Sequence, residues 1–179
     1  IKSSAASDVY KRQEYKCSGA GTLYDYPLFP GINLIFMDFN CSDIFHEPIP
    51  NKNIIEIRHY QKGRVEFELR NNKVFHMKEG ELCINALANV PAAYSFPFGY
   101  SVGLSCVIDK DSVDAKTKQI FSYYNIDVLN LGQELEIEKK WFLCRTPQRL
   151  LHIFDELYAA KGVEGRDYFL IKLLELFYH

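Results

Sequence analysis

The sequence predicts an α+β fold, with a strand-rich first part followed by helices. Three observations point there. Apolar and polar residues alternate at period two through much of the stretch from Leu28 to Ile108, and after Ile108 the period lengthens to that of a helix. Aromatic residues make up 15% of the 179, a share that favours sheet and a solid core. The chain divides into 1–13, a segment without periodicity, 14–27, an N-terminal arm, 28–108, a barrel of short strands, and 109–179, a helical dimerisation region.

Gly31 to Phe39 (GINLIFMDF) is rich in β-branched and aromatic residues, and the loop around Pro48, Pro50, Asn51 and Asn53 ends it. From Ile54 to Tyr60 the residues alternate, with Ile55, Ile57 and His59 on one face and Glu56, Arg58 and Tyr60 on the other. Gln61-Lys62-Gly63 reads as a hairpin turn. Arg64 to Arg70 then sets Val65, Phe67 and Leu69 against Arg64, Glu66, Glu68 and Arg70, a charged set best read as a solvated face. Asn71-Asn72 and Lys78-Glu79-Gly80 are further turns around strands at Val74–Met77 and Glu81–Asn85, and Tyr100 to Ile108 is the last strand of the series. Even spacing with Gly and Asn turns indicates a β-sandwich or small barrel.

Helices are expected at Asp111–Tyr124 and from Asp127 to about Glu138. Trp141-Phe142-Leu143-Cys144 is a short strand returning to the sheet. Thr146 as N-cap with Pro147 at the first helical position starts a helix running to about Ala160. Asp167 caps the last one, which is apolar on nearly every side: Leu170, Ile171, Leu173, Leu174, Leu176, Phe177 and Tyr178 outnumber Lys172 and Glu175. A helix packed on one side needs an apolar stripe about 100° wide, and the excess calls for a partner. We expect a homodimer in which Leu170, Leu173, Leu174 and Phe177 are shared between core and partner.

Composition limits the function. Hydrophobic residues are 47% and charged ones 25%, the balance of an ordinary globular protein, and no apolar run reaches membrane-spanning length. Lys and Arg total 21 against 23 Asp and Glu, a net charge of -2. The five cysteines at 17, 41, 83, 106 and 144 form no close pair, which argues against a disulfide framework or zinc ribbon and for reduced thiols in the cytoplasm. The string Ser3 to Gln13 after a non-Met start resembles translated adapter sequence, so 1–13 is expected to be a scar. That segment carries three of the cations and one of the anions, leaving the remainder at net -4.

The histidines are 46, 59, 76, 152 and 179. A metal-holding barrel needs a closely spaced His pair on one strand, a nearby carboxylate and a later His, converging on one ion. His59 has no partner at 61 and His76 stands alone, so no metal, cofactor or catalytic residue is assigned. In a barrel, alternate residues face inward, so Ile55, Ile57, His59, Val65, Phe67 and Leu69 should line the interior. His59 is then the first candidate to orient a small ligand, with Phe67 beside it and His76 and Tyr94 as further candidates.

Several segments carry a family resemblance. Ile55-Glu56-Ile57 through Gly63-Arg64-Val65-Glu66, then Lys78-Glu79-Gly80-Glu81-Leu82-Cys83-Ile84, then Phe96-Pro97-Phe98-Gly99-Tyr100 resemble the N-terminal cupin-like domain of bacterial AraC-type transcription regulators. Ile153 to Tyr158 and Tyr168 to Leu176 look like the same family's helices, and the likeness spans Pro30 to Tyr178. It implies a cupin-like jelly-roll β-barrel followed by C-terminal α-helices, acting as an effector-sensing and dimerisation domain. DNA contact would come only through two helix-turn-helix units beyond residue 179. The alternative is a cupin-fold enzyme, such as a sugar-phosphate isomerase or dioxygenase, which the missing His pair disfavours.

The acidic balance offers little counterion release, which supplies most non-specific affinity for nucleic acid. The chain alone should therefore show no duplex DNA binding in a mobility-shift titration at ~150 mM salt; micromolar binding with a steep salt slope would contradict this.

Overall fold

A computed structural model describes residues 2–3, 15–17, 19–46, 51–69, 74–88, 91, 93–137 and 140–179. The α+β expectation holds: strands come first, paired antiparallel except for the first with the third, and helices follow, with one late strand among them. The strands are β1 (Lys2–Ser3), β2 (Tyr15–Cys17), β3 (Ala20–Phe29), β4 (Ile32–Asn40), β5 (Asp43–His46), β6 (Asn51–Glu68), β7 (Val74–Lys78), β8 (Glu81–Leu87), β9 (Ala93–Ser95), β10 (Ser101–Asp109) and β11 (Phe142–Arg145). The helices are α1 (Ala115–Tyr123), α2 (Leu131–Glu134), α3 (Gln148–Ala160) and α4 (Arg166–Tyr178). None of the described helices is long and apolar enough to cross a membrane.

Two sheets share one strand. In the first, β6 lies between β10 and β8, extended outward by β4 and β3 on one side and β11 on the other. In the second, the C-terminal part of β6 lies between β7 and β9, followed by β5 and β2. The faces turned toward each other bury Ile35, Met37, Phe39, Val65, Phe67 and Met77 as the barrel core. The outer face of the first sheet carries a second core, in which Ile32, Leu34, Phe36, Leu104 and Ile108 pack under the helices.

β6 corrects the expected hairpin. Gln61-Lys62-Gly63 is not a turn, and a single strand of 18 residues runs through it. Opposite β10, Tyr60 pairs with Gly103 and Lys62 with Val102, so Gln61 is an extra residue, a β-bulge. Two glycines make room for it. Gly63 has φ +88, and a Cβ there would come 2.5 Å from the Tyr100 carbonyl oxygen. At Gly103 a Cβ would sit 2.7 Å from the Tyr60 ring.

Other boundaries shift for local reasons. The segment expected as an arm contains β2 and most of β3, because Tyr24 and Tyr26 pack toward the helical core. Asp114, not Asp111, caps α1, accepting from Thr117 N at 2.8 Å. Asp127 precedes a single 3-10 turn (Val128–Asn130), and α2 ends after one turn. Thr146 does not cap α3: the cap position is Pro147, and the Thr146 amide donates to Gly80 O at 3.0 Å. Gly165, not Asp167, precedes α4. The Asn71-Asn72 turn and the segment 4–13 lie outside the described residues.

Replacing Gly63 by Ala places a Cβ at positive φ against a carbonyl. It should cost about 2 kcal/mol or more, read as a lowered urea midpoint with unchanged slope; an unchanged midpoint would mean that the bulge tolerates a side chain.

Candidate functional site

The bulge divides β6 into two halves with opposite facing. Before it, Ile54, Glu56, Arg58 and Tyr60 point into the barrel, while Ile55, Ile57 and His59 point to the helices. After it, Val65, Phe67 and Leu69 point into the barrel. Arg64 and Glu66 form an ion pair of 2.9 Å on the outer side, half-exposed, as a solvated face should.

Two charged side chains are therefore deep inside the barrel. Glu56 is 1% exposed and Arg58 4%. Arg58 Nη2 donates to Glu56 Oε2 at 2.5 Å and to the Tyr94 hydroxyl at 3.1 Å. The Ser105 hydroxyl donates to the other carboxylate oxygen, Glu56 Oε1. The guanidinium carbon lies 5.3 Å from the Phe67 ring centre, 5.4 Å from Tyr94 and 5.9 Å from Trp141, within cation–π range of all three. Arg58 Nε and Nη1 have no partner among the described residues, nor do Asn85 Nδ2 and Trp141 Nε1.

A cavity of about 40 Å³, counted as space open to the centre of a water-sized sphere, adjoins this cluster. Its polar side is Glu56, Arg58, Tyr60 and Tyr94, and its apolar side is Leu23, Met37, Phe39, Ile44 and Phe96. That is room for about three to four waters, at about 10–15 Å³ each. Burial works against the Arg58 charge, but Glu56, Tyr94 and Tyr60 outweigh it and hold the guanidinium firmly protonated. Burial pushes the Tyr60 hydroxyl well up, and pushes the Cys83 thiol up to about 12. The barrel therefore holds donors and a compensated ion pair, with no ready nucleophile at Cys83.

The other side of β6 meets α3. The His59 ring stacks on Phe154, centroids 4.1 Å apart and planes within 9°. The Tyr158 hydroxyl donates to the His59 carbonyl at 2.9 Å and lies 3.1 Å from His59 Nδ1. That hydroxyl has one proton, committed to the carbonyl, so Nδ1 must carry the hydrogen of this contact. Burial lowers the His59 pKa from 6.5 to about 4, which keeps the ring neutral.

Of the sequence candidates, Tyr94 and Phe67 reach the interior cluster. His59 does not: it is buried under α3, because Gln61 reverses the facing of the strand that follows. Ile55 and Ile57 are likewise part of the helical core. His76 is exposed on β7, opposite Glu66. On α4, Leu173 is fully buried in its own chain and has no surface for a partner. Leu170, Leu174 and Phe177 are half-buried, and Phe177 packs edge-on against Phe121. Glu56, Arg58, Tyr60, Asn85, Ser105 and Trp141 were not among the candidates. The available signal was an oppositely charged i, i+2 pair on a strand face that ends in Tyr60, since such a pair can be buried together.

Among the described residues no three His, Cys, Asp or Glu side chains come together as metal ligands. Cys41, Cys83, Cys106 and Cys144 are free thiols.

No family model matches the chain, and no curated protein matches it. Among solved structures the chain is similar to ToxT from Vibrio cholerae O395 bound to (E)-4-(8-methylnaphthalen-1-yl)but-3-enoic acid, at 8% identity over 81% of this chain and 54% of that one, TM-score 0.44. It is also similar to an HTH_3 family transcriptional regulator from Vibrio cholerae, at 14% identity over 49% and 50% of the two chains, TM-score 0.41. A double-stranded beta-helix protein from Klebsiella pneumoniae aligns at 12% identity over 61% and 93%, TM-score 0.42. The chain spans about half the length of each of these two Vibrio cholerae proteins.

The His59 environment sets a pH dependence. Unfolding raises its pKa from about 4 to 6.5, so the unfolded state takes the proton first as pH falls. The contribution is complete above pH 6.5 and is lost between 6.5 and 4, to a limit of roughly 3 kcal/mol at 1.36 kcal/mol per unit. Replacing His59 by Phe keeps the stack on Phe154 and should flatten the difference in urea midpoint between pH 7 and pH 4.5. An equal pH slope in both proteins would assign the effect to the carboxylates.

Proposed function

We propose that this chain is the effector-sensing and dimerisation domain of a cytoplasmic, AraC-type bacterial transcription regulator, binding a small molecule and passing the event to DNA-binding units elsewhere in that regulator. The reading makes it a binding module and not an enzyme. One observation carries it: consecutive residues of β6 serve the two compartments. Arg58 holds the polar cluster beside the cavity, and His59 is held by Phe154 and Tyr158 of α3. A ligand that displaces β6 at Arg58 moves the anchor of α3 through one peptide unit. The segments that resemble the AraC-type family fall on this strand, on the turn from β7 into β8, on residues 96–100 before β10, and on α3 and α4.

Dimerisation is assigned to α4. Ile171 and Tyr178 are 62% and 69% exposed, and half-buried Leu170 and Leu174 adjoin them on a helix whose inner face is already filled by Phe169, Leu173 and Leu176. A second copy meeting the same surface across a two-fold axis would cover it.

A thermal-shift screen of small polar metabolites, followed by hydrogen exchange on any that bind, tests the sensing role. The expected result is a ligand that slows or speeds exchange in both β6 and α3; a ligand that alters the barrel alone would overturn the coupling. For the dimer, sedimentation should show wild-type self-association abolished in the double variant Ile171→Glu, Tyr178→Glu, with the fold retained. A wild-type monomer at high concentration would end that assignment.

A further inference from the structure

We propose that the barrel interior takes an uncharged small molecule, one with a hydrogen-bond-accepting head such as a ketone, lactone or amide carbonyl on an apolar body. The inference rests on the sensing role above and specifies the ligand's chemistry.

The head is set by what Arg58 lacks. Its Nη2 is engaged by Glu56 and Tyr94, while Nε and Nη1, which carry three N–H bonds between them, have no partner among the described residues. The side chain is 5% exposed and borders the cavity. Asn85, cross-strand from Glu56, and Trp141, against the guanidinium, are also unpaired at Nδ2 and Nε1, but neither side chain lines the cavity. A molecule in the cavity that satisfies Arg58 must accept hydrogen bonds.

The charge is set by what Arg58 already has. Glu56 neutralises it at 2.5 Å, with both groups out of water. An anion would give up its hydration and then stand beside a second buried carboxylate, which Ser105 fixes in place. A carbonyl collects charge-assisted hydrogen bonds without either cost. The body is set by the opposite wall of Leu23, Met37, Phe39, Ile44 and Phe96, which offers only apolar surface.

Three probes of four heavy atoms each, within the room that the cavity offers, separate the possibilities: acetone, acetate and isopropylammonium. Trp141, the sole tryptophan, reports binding by fluorescence, and saturation-transfer NMR confirms contact. Wild type should bind the ketone at least ten-fold more tightly than the carboxylate, and the ammonium not at all. Glu56→Gln leaves the Arg58 charge uncompensated, so in that variant the carboxylate should overtake the ketone. Should the variant not fold, the wild-type order alone decides. Carboxylate preferred by wild type, comparable ammonium binding, no reversal in a folded Glu56→Gln protein, or no saturable ketone binding would each overturn the inference. Hydrogen exchange at α3 separates this from the sensing role: ketone binding without a change there keeps the ligand class and overturns the coupling, and carboxylate binding with such a change does the reverse.

Discussion

A single inserted residue governs this molecule. Side chains on a strand alternate strictly, so one extra residue exchanges the two faces of everything beyond it. Gln61 is that residue, and β6 needs it because its two halves serve different sheets. Were the strand to continue in phase, the interior that takes Glu56, Arg58 and Tyr60 would next receive Lys62, Arg64, Glu66 and Glu68, and Val65 and Phe67 would face outward. Burying four further charges is prohibitive, as is stripping the barrel of its aromatic floor. Gly63 and Gly103 exist at this point for steric reasons: one adopts a positive φ beside the Tyr100 carbonyl, and the other leaves space for the Tyr60 ring.

The interior that results is not the cheapest one available. An ion pair out of water returns little net stability, and an apolar pair of the same volume would often do as well. Glu56 and Arg58 are held in place all the same, the carboxylate by Ser105 and the guanidinium by Tyr94 and the faces of Phe67 and Trp141. These contacts fix the direction of the guanidinium without satisfying it. A rigid, partly unsatisfied donor beside a cavity suits the proposed sensing role, because its ordering cost is met on folding and not on binding.

The helices complete the first sheet. Its outer face is apolar from Ile32 to Leu104, and α3 and α4 cover it with Leu150, Ile153, Phe154, Phe169 and Leu173. β6 is thereby buried on both sides, with polar residues inward and Ile55, Ile57 and His59 outward. Tyr158 reaches through to the His59 backbone carbonyl, so α3 is fastened to the strand's main chain and to its side chain together. In the proposed sensing role this contact is the route from the strand to α3.

The fold class, the change of period after Ile108 and most strand positions were legible in the sequence, because each depends on local periodicity and turn residues. Phe67 was also legible as an interior residue, since the hydrophobic face after the bulge is the true inner face. His59 was misplaced for one reason: Gln61-Lys62-Gly63 has the composition of a turn, and whether such a triplet closes a hairpin or forms a bulge depends on the strand opposite it. Arg58 and Glu56 were hidden by the same step, as period-two reasoning sends charged residues to solvent. Only tertiary structure decides that a strand has no solvent side, because that requires helices on one face and a second sheet on the other. Local sequence sets which residues share a face; the partners that arrive from distant parts of the chain set what that face meets.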